Sequence, residues 1–149
     1  MITRRYVLTA LAVTPFFART AAAASPAVFA MDGIALRGAD PVAYFTQSNF
    51  VLGTRAHALM WKGAQWRFAT VENMAQFEAN PEAYAPQFGG YCAYAASKGA
   101  IATTVPEAWT IYRGKLYLNY SLTVRGIWSQ DIPQNIALAE GHWPQILAL

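Results

Sequence analysis

The chain has 149 residues, 55% of them hydrophobic and 13% charged, which excludes a disordered or low-complexity segment and suits one domain with a real core. A single cysteine, Cys92, excludes every disulfide framework and every zinc ribbon, because both need at least a pair. The formal charge of +3 comes from Arg4, Arg5 and Arg19, and from Ser25 onward eight basic residues balance eight acidic ones, so neither nucleic acid nor anionic lipid is indicated as a partner.

Residues 1–24 have the parts of an export signal: a basic start, an apolar stretch over 7–18 and a run of alanines over 21–24 before Ser25 and Pro26. The apolar stretch is short of the roughly 20 residues that a membrane span needs, and Pro15 interrupts it, so no permanent membrane anchor is expected. Thr3-Arg4-Arg5-Tyr6-Val7-Leu8 resembles the twin-arginine export motif. Arg19, near the cleavage position, agrees with that route. The expectation is a mature protein that begins at Ser25 and is periplasmic or secreted.

The remainder, 25–149, reads as a single α+β domain of short antiparallel strands and hairpins with inserted short helices. Asp32-Gly33 predicts a turn inside a small hairpin over 27–36. Asp40-Pro41 predicts a capped helix over 42–45. Strands are expected over 57–61 and 65–69, joined through Lys62-Gly63-Ala64. Thr70 caps a helix that presents Val71, Met74 and Phe77 at spacing three and stops at Asn80-Pro81; another short helix covers 82–84. Gly89-Gly90 precedes a small-residue helix over 91–96 that ends at Lys98-Gly99. A hairpin over 109–119 turns at Gly114. Ser121 then caps a last helical stretch, interrupted at Asp131-Ile132-Pro133 and finishing at Trp143-Pro144.

Two strings carry a family likeness. Gly38-Ala39-Asp40-Pro41-Val42-Ala43-Tyr44-Phe45 and Tyr84-Ala85-Pro86-Gln87-Phe88-Gly89-Gly90-Tyr91-Cys92-Ala93-Tyr94-Ala95 resemble the stand-alone, exported YHS domain proteins of bacteria. The link from Trp66 to Asn80-Pro81-Glu82-Ala83-Tyr84 is similar to the pattern of YHS domains generally, and the tail from Pro106 to Pro144 is similar too. The resemblance implies kinship with small modules that hold soft metals through cysteines and recur beside copper-handling proteins. Those cysteine positions, flanking the start of a helix, are here Ala69 and Asn73, neither of which ligates as a thiolate does. The resemblance also implies a working role for Cys92, whose place in such relatives looks to be taken by selenocysteine.

Cys92 has a physical case of its own. If Gly90 caps the following helix, Cys92 lies in its first turn, where free backbone N–H groups and the helix dipole favour a thiolate. Cys92 is thus the candidate catalytic group and a candidate metal ligand, with His57 as the second ligand candidate and copper as the metal. The plain alternative is a small buried hydrophobe between Tyr91 and Tyr94. Met60 is expected to point away from His57, since residues three apart on a regular strand face opposite ways. Met74 reads as core, and His142 is assigned no role. Tyr44, Tyr91, Tyr94 and Tyr117 offer hydroxyls that stabilise an oxidised sulfur or line a pocket; more simply, the five tryptophans and eight tyrosines make an aromatic core.

The sequence has no phosphate-binding glycine loop, no nucleophile elbow, no His-Glu-x-x-His and no Cys-x-x-Cys. A redox cycle would therefore need an outside thiol reductant. A copper site of one thiolate would need help from His57, Met60 or His142, or a homodimer in which each chain contributes its Cys92. Two functions are expected. One is a single-thiol redox or soft-metal module centred on Cys92. The other is a non-catalytic structural domain, or one that binds a protein or ligand, with Cys92 buried and inert. Solvent exposure of Cys92 separates them.

Overall fold

Three pairs of left-handed residues turn the chain back on itself, and each pair ends in glycine. Asp32 and Gly33 (φ 50° and 77°), Lys62 and Gly63 (48° and 78°), and Arg113 and Gly114 (48° and 75°) supply the backbone twist that two-residue hairpins require. In the computed structural model, which describes residues 23–149, they join β1 (Ala30–Met31) to β2 (Ile34–Ala35), β3 (Thr54–Trp61) to β4 (Ala64–Phe68), and β5 (Trp109–Tyr112) to β6 (Lys115–Leu118). The export motif, Arg19 and the first two alanines of the run fall at positions 1–22, outside the described residues.

The first two hairpins form one four-stranded sheet in the order β1-β2-β4-β3. They meet through a parallel pairing of Ile34 with Gln65, alongside the expected antiparallel ladders. The outer strand β3 is irregular between Thr54 and Ala58, and His57 falls in that bulge. The third hairpin is a sheet of its own.

Side-chain caps start the longer helices. Thr70 Oγ1 accepts from Asn73 N at 3.1 Å to open α2 (Val71–Ala79). Pro81 opens α3 (Pro81–Tyr84). Ser121 Oγ accepts from Val124 N at 3.1 Å at α5 (Leu122–Trp128), and Asp131 Oδ1 from Gln134 N at 3.2 Å at α6 (Ile132–His142). The inward face of α2 differs from the expected one: Asn73 and Phe77 are buried, Met74 packs partly, and Val71 is exposed. α1 (Ala43–Thr46) and α4 (Ala93–Ser97) are single turns, each opened by a buried side chain.

These elements enclose two cores. One lies on the sheet and holds Val42, Tyr44, Trp66, Phe68, Phe77, Leu116 and Leu118. The other lies among α4, α5 and α6 and holds Phe88, Ala93, Ala96, Tyr117, Trp128 and Ala139. Strand β6 serves both, because successive side chains point to opposite faces: Leu116 and Leu118 go one way and Tyr117 the other. The two ends of the described chain are joined as well. Ser25 N donates to Leu147 O at 2.7 Å, Tyr91 Oη to Pro26 O at 2.9 Å, and Phe29 N to Gly89 O at 2.9 Å. Among the described residues no helix is long and apolar enough to cross a membrane.

Candidate functional site: a buried thiol and an aromatic cleft

The chain enters the Cys92 region through three successive left-handed residues, Phe88, Gly89 and Gly90 (φ 54°, 61° and 84°). Cys92 then stands in extended conformation as the N-cap of α4, one position before the first turn that a Gly90 cap would have given it. Its N–H donates to Ala102 O at 3.0 Å and its carbonyl accepts from Ala96 N at 2.9 Å. The sulfur accepts from Ala95 N at 3.5 Å and Tyr120 N at 3.3 Å, and donates to Asn119 Oδ1 at 3.5 Å. Fully buried Asn119 fixes that arrangement by also taking the Tyr94 N–H at 3.1 Å, while its Nδ2 has no partner. Cys92 is 1% exposed. It borders an open apolar depression of about 310 Å³ with Tyr94, Ala95, Ala102, Tyr120 and Val124.

The other candidate ligands do not gather around it. His57 lies in the β3 bulge, half-buried, its Nδ1 without a partner, and no hydrogen bond or cavity joins it to Cys92. Met60 is 67% exposed near the end of β3, and His142 sits beside Gly99 at the end of α6. Among the described residues no three His, Cys, Asp or Glu side chains cluster in a way that could hold a metal ion. A buried sulfur with no imidazole or thioether beside it does not fit the two or three soft donors of a Cu(I) site.

Ala69 and Asn73, where the resemblance places metal-holding cysteines, are tied to a carboxylate instead. Ala69 N and Asn73 Nδ2 donate to Asp40 Oδ2 at 2.9 and 2.8 Å. The other oxygen, Oδ1, accepts from Val42 N at 2.9 Å and Ala43 N at 3.3 Å, which opens α1. Four donors thus converge on one fully buried side chain, which joins the starts of α1 and α2 to the end of β4. Nearby, Tyr44 Oη donates to Pro106 O at 3.0 Å. Burial pushes the Tyr44 phenol well above its ordinary value, and the carboxylates of Glu107 and Asp40 add to the rise.

An aromatic concavity lies on another side, where the Lys62-Gly63 hairpin faces the C-terminal turn. Trp61, Trp66, Phe88 and Trp143, with Pro86 and Pro144, wall a cleft of about 300 Å³. Its rings are held from behind. Trp61 meets Trp66 and Phe77 edge-on, each at 5.5 Å, and Trp143 meets Phe88 at 5.9 Å and Tyr91 at 6.2 Å. Trp66 Nε1 donates to Trp61 O at 3.0 Å. On the rim, Lys62 Nζ donates to Glu82 Oε1 at 2.7 Å and lies 4.4 Å from the centre of the Trp61 ring. None of the four tyrosines expected to line a pocket lies in its wall, and the tryptophans that do were expected only as core; the one local signal in the sequence is the Lys62-Gly63 turn.

The fold and its sites define the class: a single-domain α+β protein with two cores, a buried capping thiol and an aromatic surface cleft. No family model, curated protein or solved structure matches the chain.

Proposed function

We propose that this chain is an exported module of the YHS type whose work is binding rather than catalysis, with Cys92 as a structural cap. The aromatic cleft carries this reading, since a concave, partly apolar site with a few charged groups is where small ligands bind. The burial of Cys92 supports it: a nucleophile or ligand must be reached, and this residue is 1% exposed, with its sulfur committed to α4, Asn119 and Tyr120. The test is thiol titration of the folded protein. Cys92 should label completely in denaturant and at least about a hundredfold more slowly when folded, because labelling must await local opening. Rapid native labelling would overturn the structural role.

A second reading rests on the apolar depression bordered by Cys92 and on the two N–H groups aimed at its sulfur. In that reading, motion of Tyr94 or Tyr120 uncovers a single-thiol centre that an outside thiol returns to the reduced state. Native labelling that slows on Tyr120→Trp and accelerates on Tyr120→Ala would favour it.

A further inference from the structure

From the charge arrangement on its rim, we infer that the aromatic cleft takes a compact zwitterion of the betaine type, a quaternary ammonium tethered to a carboxylate. The inference rests on the reading of the cleft as the binding site and names its ligand class. Lys62 serves as an internal stand-in for the cationic end. Its ammonium lies over the face of Trp61 at 4.4 Å and against Glu82 at 2.7 Å, so this wall already accommodates a cation by ring quadrupole and carboxylate together. The pair is exposed, 49% at Lys62 and 70% at Glu82, and an exposed ion pair contributes little and opens readily. A lone cation would displace Lys62 from Trp61 and then meet its charge. A lone anion would meet Glu82. A zwitterion resolves both conflicts: its ammonium takes the place over Trp61 beside Glu82, and its carboxylate receives the displaced Lys62.

The shape of the site agrees with this ligand. A quaternary ammonium donates no hydrogen bonds and prefers aromatic walls, which Trp61 and Trp143 provide. These rings are braced by Phe77, Phe88 and Tyr91, so the walls need little ordering when the ligand arrives. A cleft of about 300 Å³ lies at the small end of ligand sites.

The experiment titrates the isotope-labelled full chain with glycine betaine, choline and indole, following the tryptophan indole N–H resonances. Betaine is expected to shift the Trp61 and Trp143 signals and to bind more tightly than choline, which lacks the carboxylate. Lys62→Met should weaken betaine about tenfold while leaving choline unchanged or tighter, and Glu82→Gln should weaken both. Both substitutions lie at exposed positions and leave the fold intact. Equal binding of betaine and choline, or betaine binding indifferent to Lys62→Met, overturns the zwitterion. Indole shifting Trp61 and Trp143 while betaine does not overturns the ligand class and leaves the cleft as the site. No response of those signals to any of the three overturns both.

Discussion

Asp40 and Cys92 do the same architectural work in the two halves of the molecule, with different chemistry. Each is buried, each opens a single-turn helix, and each also binds a distant segment: Asp40 reaches Ala69 and Asn73, Cys92 reaches Asn119 and Tyr120. The carboxylate does so through four bonds of 2.8 to 3.3 Å. The sulfur does so through three contacts of 3.3 to 3.5 Å, the longer and weaker kind that sulfur makes. Ionised acceptors bind roughly twice as strongly as neutral ones. Asp40 is therefore the stronger clamp, although a lone cysteine attracts attention first.

Replacing Asp40 is the largest expected effect. Asp40→Ala strands three backbone N–H groups and the Asn73 amide in the interior, each at a cost of about 1 to 3 kcal/mol less what water can recover. A loss of about 4 kcal/mol or more in denaturant unfolding is expected, enough to unfold a marginal domain. Asp40→Asn, which keeps an acceptor, should lose roughly half of that. Next comes the turn that leads into Cys92. A Cβ on Gly89 would stand 2.0 Å from Ala27 O at a left-handed φ of 61°, so Gly89→Ala should cost about 2 to 3 kcal/mol. It should also make the chain near Ala27 easier for proteases to cut, since Phe29 N is held by Gly89 O.

Cys92→Ser should cost only about 1 kcal/mol, because serine is a good N-cap but its oxygen sits closer to the backbone than sulfur. Cys92→Ala should cost about 1 to 2 kcal/mol. A penalty at Cys92 equal to that at Asp40 would break the comparison. The smallest effect is on pH dependence. Burial, Glu107 and Asp40 raise the Tyr44 phenol above its ordinary value of 10.0, so in the folded state it stays neutral where the unfolded chain ionises. Its contribution to stability is complete below about pH 10 and declines as pH rises toward the folded value. Denaturation midpoints at about pH 9 and about pH 11 should differ accordingly, and Tyr44→Phe should flatten the decline. Because Asp40 adds to the rise, Asp40→Asn should shrink the effect slightly, which sharpens the link between Tyr44 and the Asp40 clamp.

What the sequence determined by itself is what neighbouring residues settle. Asp32-Gly33, Lys62-Gly63 and Gly114 mark hairpins because left-handed backbone favours glycine. Thr70, Ser121 and Asp131 mark helix starts because a side-chain oxygen three residues back reaches an unpaired N–H. Tertiary structure decided whatever depends on segments far apart in the chain. Val71 faces solvent and Asn73 faces inward because Asp40, from another loop, offers Asn73 an acceptor. Leu116, Tyr117 and Leu118 are all buried because a core lies on each side of β6. Cys92 was legible as a helix-start residue, but its shielding comes from Asn119 and Tyr120, which reach it only in the fold. The cleft was not legible, since Trp61, Glu82 and Trp143 belong to separate elements, and no local propensity encodes the meeting of side chains whose spacing is set by packing.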